Sequence, residues 1–222
     1  MNATKKLIDV LSDKHQLYTN YSVGKFIYLA SNYDPRVAFD KYIQNSTTHP
    51  LIVIGSVGSG KTHLVVDGLR RLKIECPSLS VERFNNDIRR AGIKYDEIDI
   101  HEVQKAYPVL FLDSADVTLK RREYREHQET IDLFASLTRI GCKVILTSTE
   151  LYGYPTEKFV QTSIDQISDK EAFKLAKHFF AKDFGYLPQS IEDLEICRKA
   201  RSAIIRVVER NIKRYFLIKQ LR

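Results

Sequence analysis

Eight consecutive residues, Gly55-Ser56-Val57-Gly58-Ser59-Gly60-Lys61-Thr62, carry the strongest chemical signal in the chain. They fit the pattern GxxxxGK[ST], in which each residue type answers a requirement of phosphate binding. Glycines let successive backbone N–H groups turn inward around phosphate oxygens, in conformations that a side chain forbids. A helix that starts at the end of the loop offers its positive N-terminal end to the same anion. Lys61 would neutralise the β- and γ-phosphates of a nucleotide such as ATP, and the Thr62 hydroxyl would ligate Mg²⁺. A glycine-rich turn without a ligand is the alternative. The position of the segment, after the aliphatic run LIVI (51–54) and before a helical pattern, favours the phosphate loop.

A second candidate is Asp113, at the end of Val109-Leu110-Phe111-Leu112. A lone aspartate after a strand is usually a turn or a cap, but downstream of a phosphate loop it stands where a Mg²⁺-holding carboxylate belongs. Many hydrolysing ATPases of this architecture have a second acid at the next position, to polarise water. This chain has Ser114 there and Asp116 two places on. Either Asp116 or another residue positions the water, or hydrolysis is slow.

The third signal is Thr147-Ser148-Thr149, after Val144-Ile145-Leu146. A polar side chain at such a strand end, Thr149 above all, can reach the γ-phosphate or the attacking water; a plain strand terminus is the competing reading. His63 follows the loop on a helix, where packing or capping suits it better than catalysis. No Ser-His-Asp, Cys-His or metal-cluster spacing stands out. The three cysteines, Cys76, Cys142 and Cys197, lie far apart and fit a reduced, cytoplasmic compartment.

These residues need a rigid frame, and the surrounding sequence supplies one. LIVIG (51–55), VLFLDS (109–114) and VILTST (144–149) are short apolar runs without alternation, the habit of strands buried on both faces of a parallel sheet. Helical patterns separate them, at Lys61–Leu72 and at Arg122–Ile140, where Ile131, Leu133, Phe134 and Leu137 recur at helical spacing. Strands alternating with helices predict an α/β fold, a parallel sheet sandwiched by helices. After Thr149 the pattern turns helical: a cap at Ser168–Asp169, an apolar stripe over Lys170–Phe184, a further stretch opened by Pro188, and a last helix over roughly Arg198–Ile218. The expected organisation is a nucleotide-binding core with an N-terminal linker (1–167) and a small all-helical lid (168–222).

Composition sets the outer limits. The chain has 222 residues, 43% of them apolar and 28% charged, enough to bury a core. Its longest aliphatic runs are four residues, too short to span a membrane or to act as a signal peptide. The net charge of +7 is uneven. From Cys197 to Arg222 there are nine bases and one acid, whereas the preceding residues hold 26 bases and 27 acids. That basic helix could meet DNA phosphates without reading bases, or it could be a solvated face.

GSVGSGKTHL (55–64) resembles the phosphate loop of the DnaA initiator family, a clade of AAA+ P-loop ATPases, in which His-Leu commonly follows the loop. Other segments fall in the family's order. TNYSVG (19–24) resembles the linker whose aromatic and Val-Gly residues, here Val23 and Gly24, approach the adenine. NYDPRVAFDKYI (32–43) is similar to the first helix, and SVERFNNDIRR (80–90) to the second strand and its helix. VLFLDS takes the Walker B position and GCKVILTST (141–149) the sensor 1 strand. LPQSIEDLEICRKARSAIIRVV (187–208) is similar to the lid, with Arg201 at or near its sensor 2 position.

The resemblance implies ATP or ADP bound between core and lid, with contacts from Gly55 through His63, and self-association in replication initiation or its regulation. Two departures bear on that. No helix-turn-helix region follows the lid, and no arginine lies between Gly141 and Cys197, where the family carries its trans-acting arginine finger. The expectation is therefore a regulator of the Hda type or a DnaC-like helicase loader. Its partner would be an initiator, clamp or helicase, and its hydrolysis slow or partner-dependent. Gln16-Leu17-Tyr18 could serve as a clamp-binding peptide. A non-hydrolysing, nucleotide-bound adaptor is the alternative. A small-molecule kinase would need lid arginines on the transferred phosphate, and the arginine-free stretch counts against it.

Overall fold

The computed structural model describes residues 2–12, 27, 29–115, 124–150, 156–202 and 205–220. The three apolar runs form β1 (Leu51–Ile54), β3 (Val109–Asp113) and β4 (Lys143–Ser148). Two shorter strands, β2 (Ser78–Ser80) and β5 (Val160–Ser163), complete a parallel sheet in the order β2-β3-β4-β1-β5. Because β4 and β3 follow in sequence from β1 but lie on one side of it, the chain reverses direction beside β1. Ligands bind α/β sheets at such a switch point, beyond the strands' carboxyl ends.

Helices close both faces. One face carries Ile52, Leu110, Leu112, Val144 and Leu146, packed under α1 (Ala3–Ser12), α4 (Val81–Arg90), α5 (Ile100–Ala106) and α6 (Tyr124–Arg139). The other carries Leu51, Val53, Phe111 and Ile145 under α2 (Tyr33–Gln44) and α3 (Lys61–Arg71). The alternation of sides along each run explains why the runs show no alternation of polarity: each residue meets a helix layer. Each fully buried large side chain is worth about 1.5–3 kcal/mol. On α3, Gly68 exists for space, since a Cβ there would lie 2.3 Å from the buried Phe39 ring of α2. Below it, the Tyr42 hydroxyl donates to Val144 O (2.8 Å) and accepts from Val144 N–H (3.1 Å), and burial pushes its pKa up to about 12.

Beyond the sheet, α7 (Asp169–Phe184), α8 (Ile191–Lys199) and α9 (Ile205–Gln220) pack around Leu175, Ala176, Phe180, Cys197, Val208 and Ile212. Ser168 caps α7 in a capping box with Glu171. The Glu171 carboxylate also accepts from Ser31 N–H (2.9 Å), which joins the lid to the 3₁₀ turn Ala30–Asn32 ahead of α2.

Two details depart from the sequence reading. The basic segment is not one helix over Arg198–Ile218: α8 ends at Lys199 and α9 begins at Ile205. Arg198 and Lys199 thus belong to the end of one helix, where they favour its negative pole, and Ile204 lies outside the described residues. Secondly, the N-terminus forms α1, whose Ala3, Leu7 and Leu11 are buried at four-residue spacing. Lys6 and Thr4 fasten it to Ala91 O (3.0 Å) and Asp99 N–H (2.8 Å).

Candidate phosphate and metal site

The loop between β1 and α3 closes over the carboxyl ends of β1, β4 and β3. Its geometry depends on glycine at two points, Gly58 (φ 81°) and Gly60 (φ 100°), both in the left-handed region. Gly55 is required by space instead, because a Cβ there would fall 2.8 Å from Ser59 Oγ and 2.9 Å from Ile164 O. Gly55 N–H donates to Ser148 O (3.1 Å), so the loop leaves the sheet still paired to β4. The helical ladder begins with Leu64 N–H on Gly60 O (2.9 Å), and Ser59 N–H closes a turn on Ser56 O (3.1 Å).

Lys61 bends back over the loop, its Nζ donating to Gly55 O (2.6 Å) and Ser56 O (3.1 Å). Ser59 Oγ is buried without a hydrogen-bond partner among the described residues. A buried hydroxyl with nothing to bond is costly, and a phosphate oxygen is the complement it lacks. On this observation the loop fits a nucleotide phosphate.

The Thr62 hydroxyl donates to Asp113 Oδ1 (2.9 Å), which brings together the two side chains expected to hold a metal. Strand order explains the third member: β4 lies between β1 and β3, so its end stands beside both. Thr147 Oγ1 donates to the same Asp113 Oδ1 (2.5 Å) and accepts from Ser114 N–H (3.0 Å). Two hydroxyls thus converge on one Asp113 oxygen, and carboxylate oxygens are the ligands a hard cation takes. Ser114 has a left-handed backbone (φ 53°), a costly conformation for a non-glycine residue, stabilised here by that bond and by Ala115 N–H on Thr147 O (2.7 Å). Of the triplet 147–149, Thr147 is the residue turned to Asp113. Thr149 is half-buried one position beyond β4.

His63 is half-buried, and burial lowers its pKa; Glu209 opposes the shift, while Arg206 and Arg70 reinforce it. The neutral form dominates at pH 7. These neighbours place the first turns of α9 beside α3, and a Cβ on Gly60 would lie 3.6 Å from Ile205 Cδ1. Arg206 lies on the first turn of α9, where it is exposed. Arg201 instead bonds Arg198 O (Nε, 3.0 Å) and pairs with Asp169 (3.4 Å) at the lid surface. Sequence spacing within RKARSAIIR does not separate the two; α8 ends before Arg201, and α9 begins one residue before Arg206. Val23, Gly24, Asp116 and the segment 16–18 lie outside the described residues.

No family model matches the sequence. Among solved structures, AMPPCP-bound DnaA from Aquifex aeolicus is similar at 23% identity and a TM-score of 0.65, over 87% of this chain and 62% of that one. A replication initiator DnaA bound to AMPPCP and single-stranded DNA is similar at 22% and 0.62, over 91% and 64%. Domain III of the Thermotoga maritima replication initiation protein DnaA is 15% identical at 0.63, over 92% of this chain and 89% of that domain. The chain thus spans less than two-thirds of the longer initiators it matches and nearly all of the isolated domain. Among the described residues no helix is long and apolar enough to cross a membrane. The protein shares the α/β fold of the DnaA structures it matches.

Proposed function

We propose that the protein binds ATP and ADP between core and lid and acts as a nucleotide-switched factor in DNA replication initiation or its regulation. The observation that carries the reading is the convergence of Lys61, Thr62, Asp113 and Thr147 on one strand end, beside a loop with an unsatisfied Ser59 hydroxyl. The nucleotide and single-stranded DNA seen with a DnaA structure of the same fold support the biological setting.

Each residue has a distinct task. Lys61 leaves the Gly55 and Ser56 carbonyls and turns its ammonium to the phosphates. Thr62 and Asp113 hold Mg²⁺, and Thr147 keeps the Asp113 carboxylate in place. Mg²⁺ held by Thr62 and Asp113 would supply positive charge to neutralise the phosphates. Thr149 serves the γ-phosphate or the water. Arg206 and Arg201 are the two lid candidates for sensing whether a γ-phosphate is present, which would couple lid angle to nucleotide.

Ser114 offers no carboxylate to accept a proton from water, so turnover is slow or needs a partner. That same residue supports a second reading, a nucleotide-bound adaptor that does not hydrolyse. ATP turnover measured alone and with single- and double-stranded DNA at two salt concentrations separates them. Slow turnover raised by DNA, with the effect fading in salt, supports the switch. Tight binding without turnover under every condition supports the adaptor, and absence of nucleotide binding overturns both.

A further inference from the structure

One face of the lid, along α7, carries lysines without ion-pair partners among the described residues. Several other lid cations are paired: Arg198 and Lys199 with Glu195 (3.5 and 3.8 Å), Arg201 with Asp169 (3.4 Å), and Lys213 and Lys182 with Glu209 (3.0 and 3.9 Å). Along α7, by contrast, Lys170, Lys174 and Lys177 follow at helical spacing, and none has a carboxylate within ion-pair reach among the described residues. They form a row about 10 Å long. The row borders a groove of ≈ 760 Å³ whose floor is apolar, made by Leu29, Ala30 and Phe173.

We propose that this groove docks an acidic segment of a partner protein, an apolar side chain seated on Leu29 and Phe173 and carboxylates on the three lysines. Charge complementarity identifies the occupant. The one acid in the groove, Glu171, already accepts from Ser31 N–H, Ser168 N–H and the Ser168 hydroxyl. A nucleic-acid strand fits less well, because stacking a base needs an open aromatic face. The Lys177 ammonium covers the Phe173 ring at 4.7 Å from its centroid. An apolar anchor rimmed by ion pairs is instead the usual form of peptide-in-groove recognition.

The position gives the docking a consequence. The groove straddles the joint at which Glu171 ties the lid to the turn before α2, so an occupant touches both sides of it. A partner seated there would favour one lid angle over another.

The test uses the full chain and a short fluorescent peptide with a leucine stripe at helical spacing flanked by glutamates. Controls are the same composition scrambled and an oligothymidylate of similar length. The Lys170→Glu/Lys174→Glu variant should bind the leucine–glutamate peptide about tenfold more weakly, with the remaining affinity less sensitive to salt. Its circular dichroism should match that of the parent chain. Equal affinity for ordered and scrambled peptides, or unchanged affinity in the variant, overturns the proposal. Loss of oligothymidylate binding with peptide binding intact also overturns it, and assigns the face to nucleic acid.

Discussion

The strand end that bears the phosphate loop and the lid that faces it hold their polar groups in opposite ways. At the strand end the key groups are buried and bonded to one another: Thr147 is fully buried, Asp113 nearly so, and one carboxylate oxygen accepts from two hydroxyls. In the lid the ion pairs lie at the surface, as in Arg201 with Asp169, whose side chains are 39% and 88% exposed. Buried networks cost much to disturb, whereas exposed pairs contribute about 0–1 kcal/mol. The difference suits a fixed platform for phosphates and a cover that moves with little penalty.

Five substitutions probe that contrast, in order of expected effect. Gly68→Ala drives a Cβ into the Phe39 ring between α2 and α3. The helix-propensity gain of about 1 kcal/mol is smaller than the overpacking, so chemical denaturation should show a net loss of about 2 kcal/mol. A neutral or stabilised variant would mean that the α2–α3 layer is loose. Thr147→Val removes the donor to Asp113 and the acceptor for Ser114 N–H, a cost of about 1–3 kcal/mol. Calorimetry should show weakened Mg²⁺-dependent ATP affinity, with Mg²⁺-independent binding largely kept.

Arg206→Ala should weaken ATP about tenfold and ADP less, while Arg201→Ala changes both by less than about 1 kcal/mol. The reverse order would place Arg201 on the nucleotide. The smallest effect is at the joint. Burial would raise the Glu171 pKa, but hydrogen bonds from Ser31 and Ser168 outweigh it and bring the value from 4.5 to about 2. A depressed carboxyl stabilises the fold above pH 4.5 and loses that stabilisation as pH falls toward 2. Glu171→Gln should therefore lower stability near neutrality and flatten the acid branch of the stability profile between those limits. An unchanged acid branch would show the clasp to be idle.

The same contrast explains what was legible in the sequence. The runs around Val53, Phe111 and Ile145 announced their strands, because a parallel strand covered on both faces has to be apolar throughout. The residues 55–62 announced the loop, because phosphate geometry leaves few alternatives to glycine, lysine and threonine. β5 was silent: Val160-Gln161-Thr162-Ser163 is a polar, mostly exposed edge strand with no inner-strand signature. α1 carried a usable signal in Ala3, Leu7 and Leu11, muted by the lysines beside them. The lid arginines were the hardest, since the end of α8 and the start of α9, which set Arg201 and Arg206 apart, leave no mark on composition.

ATP binding by the parent chain and by Lys61→Ala, measured by calorimetry with Mg²⁺ present, tests the phosphate site most directly. The Lys61 ammonium rests on Gly55 O and Ser56 O, and the proposed function makes it the group that would meet the phosphates. Its loss should cost about 3 kcal/mol, roughly a hundredfold in affinity, with folding unchanged. Equal affinity in the two proteins would show that the loop between β1 and α3 does not hold the nucleotide.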